Sequence, residues 1–211
     1  MNSSPLVHVV DDDDSLRVAV ARLLSAAGLE VRTYASAGDF LLHPLPQGPG
    51  CILLDLRMPG PSGLELQRAL GDLGATLPVI FFTAHADVAC GVEAMKAGAV
   101  DFLMKPVEPR MLLDAVRRAL EQDGARRAAR ADARDLQARF ALLSPREREV
   151  FERVVVGKLN KQIADELGIA ERTVKAQRAQ LMTKLGVASA AELGRLAERL
   201  QHVPEAPRDS G

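Results

Sequence analysis

The sequence has only two cysteines, Cys51 and Cys90, one in an expected strand and one in an expected helix, with no metal-ligand spacing between them. A disulfide framework and a cysteine-based metal centre are therefore excluded, and buried free thiols are the expectation. No apolar run approaches the ~18 residues of a membrane-spanning helix, and no basic stretch followed by an apolar one opens the chain. A cytoplasmic protein with no membrane partner is the expectation. Net charge is also scarce, at -1 over 211 residues, but it is unevenly placed. Residues 1–120 carry 10 basic side chains against 14 acidic ones, whereas residues 144–200 carry 11 against 8. An acidic front suits cation binding or phosphate handling, and a basic back suits a polyanion.

What is present is a hydrophobic fraction of 47%, enough for one large domain or two small ones, organised around Cys51-Ile52-Leu53-Leu54-Asp55. Four uncharged residues suit a strand buried on both faces, and an ionised carboxylate directly after them belongs at the strand's carboxyl end. Met58-Pro59-Gly60-Pro61 breaks the strand, and Ser62-Gly63-Leu64-Glu65 has the spacing of a helix capping box. The same rhythm recurs along the front of the chain. Strands are expected over 6–10, 30–34, 51–54, 78–84 and 101–106, and helices over 15–27, 36–42, 62–73, 87–97 and 108–120. Five alternations predict a doubly wound parallel sheet covered on both faces, with every strand's carboxyl end on one edge.

To that edge the pattern delivers Asp11, Asp12, Asp55, Thr83 and Lys105. Three carboxylates cannot stand close together uncompensated, and oxygen-only ligands select a hard cation such as Mg²⁺. A cation, a carboxylate nucleophile, a hydroxyl donor and an ammonium are the parts needed to move a phosphoryl group onto an aspartate and hold it there. With these residues in place, 5–120 resembles the receiver domain of bacterial two-component response regulators. The resemblance implies that Asp55 is the phosphoacceptor, and that Asp12 and Asp55 bind Mg²⁺ with the Arg57 carbonyl while Asp11 assists. It further implies that Thr83 and Lys105 contact the phosphoryl group, that Lys105-Pro106 is cis, and that Phe102 is the switch aromatic. Arg57 and His85 occupy the positions that tune dephosphorylation in that family.

Residues 121–143 are rich in Ala and Arg, with few large apolar side chains before Leu136. Such a composition favours helix but offers little to bury, so a helical linker is expected, continuing the fifth helix, with Gly124 as a candidate break. Ser144-Pro145-Arg146-Glu147 then opens a second domain over 144–200 with another capping box and proline at the first helical position. Helices are expected over 145–156, 161–167, 171–185 and 189–200, with Asn160 capping the second and a short Gly168 turn before the third. Helix, glycine turn and helix make a helix-turn-helix pattern. Residues 201–211, with two prolines, read as a disordered tail.

The back of the chain resembles the LuxR-type DNA-binding domain. Leu143-Ser144, Arg146-Glu147, Glu149-Val150, Gly157, Asn160-Lys161, Ile163-Ala164, Thr173-Val174-Lys175 and Lys184-Leu185 carry the match. Val174, Leu181 and Leu185 form the buried stripe of the third helix and leave its other faces for a major groove. Lys175 and Arg178 are the candidates for base or phosphate contact, Lys161, Thr173 and Lys184 for phosphate clamps, and Gln177 stands where the family often has His.

The two resemblances together imply an α/β receiver joined to an all-α four-helix module, that is, a response regulator of the NarL/FixJ subfamily and not an enzyme. The implied partners are a sensor histidine kinase, double-stranded promoter DNA, a second copy of the chain after phosphorylation, and RNA polymerase as a further candidate. An aspartate-nucleophile phosphatase is the enzymatic alternative, but those resembling haloacid dehalogenases place an acid two residues after the nucleophile, and here that residue is Arg57.

Overall fold

The computed structural model describes residues 4–44, 46, 48–84 and 88–201. The chain divides into two compact units, Met1–Arg127 and Ala128–Gly211. In the first, five strands alternate with five helices: β1 (Leu6–Val10), α1 (Asp14–Ala26), β2 (Glu30–Tyr34), α2 (Ala37–Leu41), β3 (Gly50–Leu54), α3 (Gly63–Asp72), β4 (Val79–Thr83), α4 (Val88–Lys96), β5 (Asp101–Met104) and α5 (Pro109–Ala141). All pairings are parallel, in the order β2-β1-β3-β4-β5. The order reverses beside β1, so β1 and β3 flank the switch point where such sheets open a crevice at their carboxyl ends.

Both faces of the central strands β3 and β4 are buried, as their unbroken apolar runs require. On one face Ile52, Leu54 and Phe81 pack with Leu66 and Leu70 of α3; on the other Cys51, Leu53 and Ile80 pack with Val20 and Leu24 of α1 and Leu112, Ala115 and Val116 of α5. Cys51 is fully buried, and burial pushes its thiol up to about 12, which leaves it inert. α1 is capped by Asp13, whose carboxylate accepts from the Ser15 and Leu16 amides, and α3 by the Ser62/Glu65 box.

The second unit holds the end of α5 together with α6 (Pro145–Val155), α7 (Asn160–Leu167), α8 (Glu171–Leu185) and α9 (Ala190–Gln201). Val150, Ile163, Val174, Leu181, Leu185 and Leu193 form its core. The Ser144/Glu147 box opens α6 as expected. The start of α7 differs from expectation. Leu159 is the cap residue, Gln162 reaches back to accept from its amide, and Asn160 is the first helical residue with its side chain engaged elsewhere. No described helix is long and apolar enough to cross a membrane. His85 and residues 202–211 lie outside the described residues, and Gln201 closes α9.

α5 is one unbroken helix of 33 residues that runs straight through Gly124. The absence of a β-branched or proline residue from 121 to 141 lets the helix continue where glycine alone weakens it. A Cβ at position 124 would meet nothing within 4 Å. Gly124→Ala is expected to stabilise this stretch by about 0.5–1 kcal/mol, read as higher helicity and a later thermal transition in circular dichroism.

Candidate functional site

The carboxyl ends of β1, β3, β4 and β5 meet at a pocket lined by Asp11, Asp12, Asp55, Ala84 and Lys105, with Thr83 fully buried and outside that lining. β1 delivers Asp11 and Asp12, β3 delivers Asp55, β4 ends in Thr83, and the chain leaving β5 contributes Lys105. Asp11, Asp55 and Thr83 are buried, while Asp12 is exposed at the rim. The parallel β1–β3 register that pairs Val10 with Leu54 sets Asp11 beside Asp55.

One cation of the chain holds the two buried acids. Lys105 Nζ donates to Asp11 Oδ2 at 2.5 Å and to Asp55 Oδ2 at 3.0 Å, and lies 5.2 Å from the centre of the Phe82 ring. Asp11 Oδ1 also accepts from the Asp13 amide at 3.0 Å. Burial nevertheless raises the Asp11 pKa above the usual carboxylate range, with the hydrogen bond from Lys105 opposing that rise. One oxygen each from Asp11, Asp12 and Asp55 can lie within 4.8 Å of the others, so one small cation could be held by all three. Three oxygen donors, two of them buried, fit a hard divalent cation. The Lys105–Pro106 peptide is cis.

The sequence pattern does not assign two residues that support this pocket from behind its acids. Arg17 of α1 donates to the Asp11 carbonyl at 2.5 Å, fixing the turn that carries Asp11 and Asp12. Gly63 begins α3 directly against the phosphoacceptor candidate: a Cβ there would stand 2.3 Å from the Asp55 carbonyl oxygen. A glycine inside a capping box was the available signal, but only the packing explains it.

Phe102 is half-buried, 6.1 Å from Phe81 by ring centres, and edges an apolar hollow of about 470 Å³ shared with Gly91, Val92 and Met95. Arg57 is exposed, and its amide stands 3.4 Å from Asp55 Oδ1.

In the second unit the proposed DNA contacts separate. Lys161 and Lys175 are exposed, Lys175 within 3.1 Å of Glu171 one turn before it, and Thr173 is half-buried. Arg178 Nη1 donates to Asn160 Oδ1 at 3.1 Å, so α7 holds the guanidinium of α8. Gln177 buries its Oε1 with no hydrogen-bond partner among the described residues. Lys184 is placed differently from the rest: it donates to Glu147 at 2.7 Å and to the Leu142 carbonyl at 3.2 Å. That bond holds the buried Glu147 carboxyl below its usual range and ties the end of α8 to the start of α6.

Residues 7–117 match the family described as the response regulator receiver domain, and residues 141–197 match the luxR family of bacterial regulatory proteins. Nodulation protein W of Bradyrhizobium diazoefficiens is 44% identical over 94% of this chain and 88% of its own length. The transcriptional regulatory protein FixJ of Azorhizobium caulinodans is 48% identical over 93% of each. Among solved structures, the response regulator StyR is 47% identical, with a TM-score of 0.86 over 93% of this chain and all of its own.

Proposed function

The chain belongs to the NarL/FixJ-type response regulators, transcriptional regulators and not enzymes, that join a receiver domain to a LuxR-type DNA-binding domain, and we propose that phosphorylation of Asp55 by a sensor histidine kinase drives its dimerisation and promoter binding in the cytoplasm. The observation that carries this reading is Lys105, held against both Asp11 and Asp55 in a pocket at the sheet's switch point. An Asp55 oxygen bonds to the phosphorus of a phosphoimidazole as the P–N bond breaks and imidazole departs. Lys105 then faces a phosphoryl oxygen, and the Thr83 hydroxyl donates to another. Asp11, Asp12, Asp55 and the Arg57 carbonyl are the residues that would hold Mg²⁺, which supplies positive charge against the phosphoryl oxygens. Phe102 follows Thr83 inward, and the α4–β5 face changes shape to receive a second copy.

On DNA, α8 is the recognition helix. Lys175 and Arg178 reach base edges or phosphates, Lys161, Thr173 and Gln177 hold the backbone, and Lys184 acts through its tie to Glu147. RNA polymerase is the downstream partner of a dimer so placed. The test is to titrate the full-length chain with duplexes selected from genomic fragments, with Mg²⁺, before and after a small phosphodonor, and to weigh it by sedimentation. Phosphodonor is expected to produce the dimer and tighten binding. Arg178→Ala is expected to weaken specific binding by about 1–3 kcal/mol without altering phosphoryl uptake. A monomer whose DNA affinity ignores complete phosphorylation would reject the switch.

A further inference from the structure

The apolar stripe that seats α5 on the sheet, Leu112, Ala115, Val116 and Ala119, continues one turn later not with a hydrophobe but with Asp123, which is 1% exposed, and then with Arg127. A buried carboxylate in place of an apolar side chain is unfavourable unless it is given donors. Asp123 Oδ2 has two: the Gly50 amide at 2.9 Å and Arg127 Nε at 2.6 Å. Arg127 in turn donates through Nη2 to the Gly48 carbonyl. Asp123 Oδ1 is buried with no partner among the described residues, so the contact is specific to one oxygen and one strand end.

The point of attachment is the amino end of β3. Gly50 admits no side chain, since a Cβ there would lie 2.2 Å from the Leu6 carbonyl oxygen, and the Leu6 amide donates to the Pro49 carbonyl at 3.0 Å. α5 is thereby fastened where β1 and β3 begin. Asp11, Asp12 and Asp55 stand where the same two strands end, about 17 Å away for a five-residue strand. Beyond Ala119 and the half-buried Leu120, which packs on the same core, Asp123 is the one fully seated residue of α5 before Leu136, so past Leu120 polar bonds and not apolar burial hold the helix down.

We infer that Asp123 and Arg127 form a clamp that fastens α5 to the amino ends of β1 and β3, so that a change at the acidic pocket reaches the helix leading to the DNA-binding unit. This role rests on the reading of Asp55 as the phosphoacceptor. Without the clamp the stretch past Leu120 has nothing comparable to hold it to the sheet, and motion at the pocket is lost in a loosened helix.

The full-length wild type, Asp123→Ala and Arg127→Ala are compared for phosphoryl uptake at Asp55, for protease cleavage within 121–135, and for DNA affinity with and without phosphodonor. Arg127 is partly exposed, so its substitution tests the clamp even where Asp123→Ala fails to fold. Uptake is expected to stay near that of the wild type and cleavage to quicken, while the phosphodonor-driven gain in DNA affinity shrinks about fivefold. An undiminished gain in a folded variant overturns the clamp alone. A wild type that takes up phosphoryl and gains no DNA affinity overturns the underlying reading, and the signalling role with it.

Discussion

Asp55→Asn is expected to abolish phosphoryl uptake from a small phosphodonor and to leave DNA affinity and oligomeric state at their unphosphorylated values. An amide cannot form the acyl phosphate, because the bond to phosphorus requires the electron pair of a carboxylate oxygen. The change is close to isosteric, so the fold has little reason to give way. Asp55 contributes its backbone amide to the Val10 carbonyl at 2.8 Å, and asparagine keeps that bond. Lys105 loses one of two anionic partners but retains Asp11, where the shorter contact lies. The second unit is untouched, so basal DNA binding persists. Allosteric couplings of this kind are commonly worth about 1–3 kcal/mol, and that whole gain disappears in the variant. Phosphate-affinity electrophoresis and DNA titration on the same samples make the measurement. Uptake by Asp55→Asn at the wild-type rate would move the phosphoacceptor to Asp11 or Asp12.

The acidic pocket was legible because its parts are local. β1, β3 and β4 are short, mostly apolar runs, and the residue that ends such a run is by construction at the sheet's edge, so the pattern alone sets Asp11, Asp55 and Thr83 on one edge. Lys105 follows the same logic, one residue beyond β5. The DNA face was legible only in part. Lys184 reads as a phosphate clamp through the LuxR-type resemblance, yet Glu147, 37 residues earlier, accepts from its ammonium. Asn160 is a good cap by type, but Arg178 claims its carbonyl and Gln162 serves the Leu159 amide instead. Such choices depend on which long side chain arrives from another helix, and periodicity carries no information about that. Asp123 is silent in the sequence for a related reason: in an Ala/Arg-rich stretch a lone acid resembles solvated surface, and only the approach of the β3 amino end makes it a buried partner.

A larger stability effect is expected from a residue that carries no signal at all in the sequence. His8, in the middle of β1, is 2% exposed, stacks on Tyr34 with ring centres 5.8 Å apart, meets Phe40 edge-on at 5.6 Å, and shares a 3.0 Å hydrogen bond through Nδ1 with the Tyr34 hydroxyl. Burial, and after it the charge of Arg32, lowers its pKa from 6.5 to about 4. The unfolded chain therefore takes up a proton on His8 as pH falls through 6.5, while the folded chain refuses it until pH 4. Across that window the unfolded state binds more protons, so stability declines with falling pH, by about 2 kcal/mol between pH 7.5 and 5 and about 3 kcal/mol once both forms are protonated. The chain supplies its own reporter. Tyr34 is the sole tyrosine in a sequence without tryptophan, so intrinsic fluorescence follows the first unit alone. Urea unfolding watched through Tyr34 should show a lower midpoint at pH 5 than at pH 7.5, and His8→Phe, which keeps an aromatic ring between Tyr34 and Phe40, should flatten most of that difference. Equal losses in the wild type and His8→Phe would assign the acid sensitivity to other groups, with the Asp11 pocket set apart by its sign: the raised Asp11 pKa makes the folded state hold its proton more tightly, so that residue favours the fold as pH falls, opposite to His8.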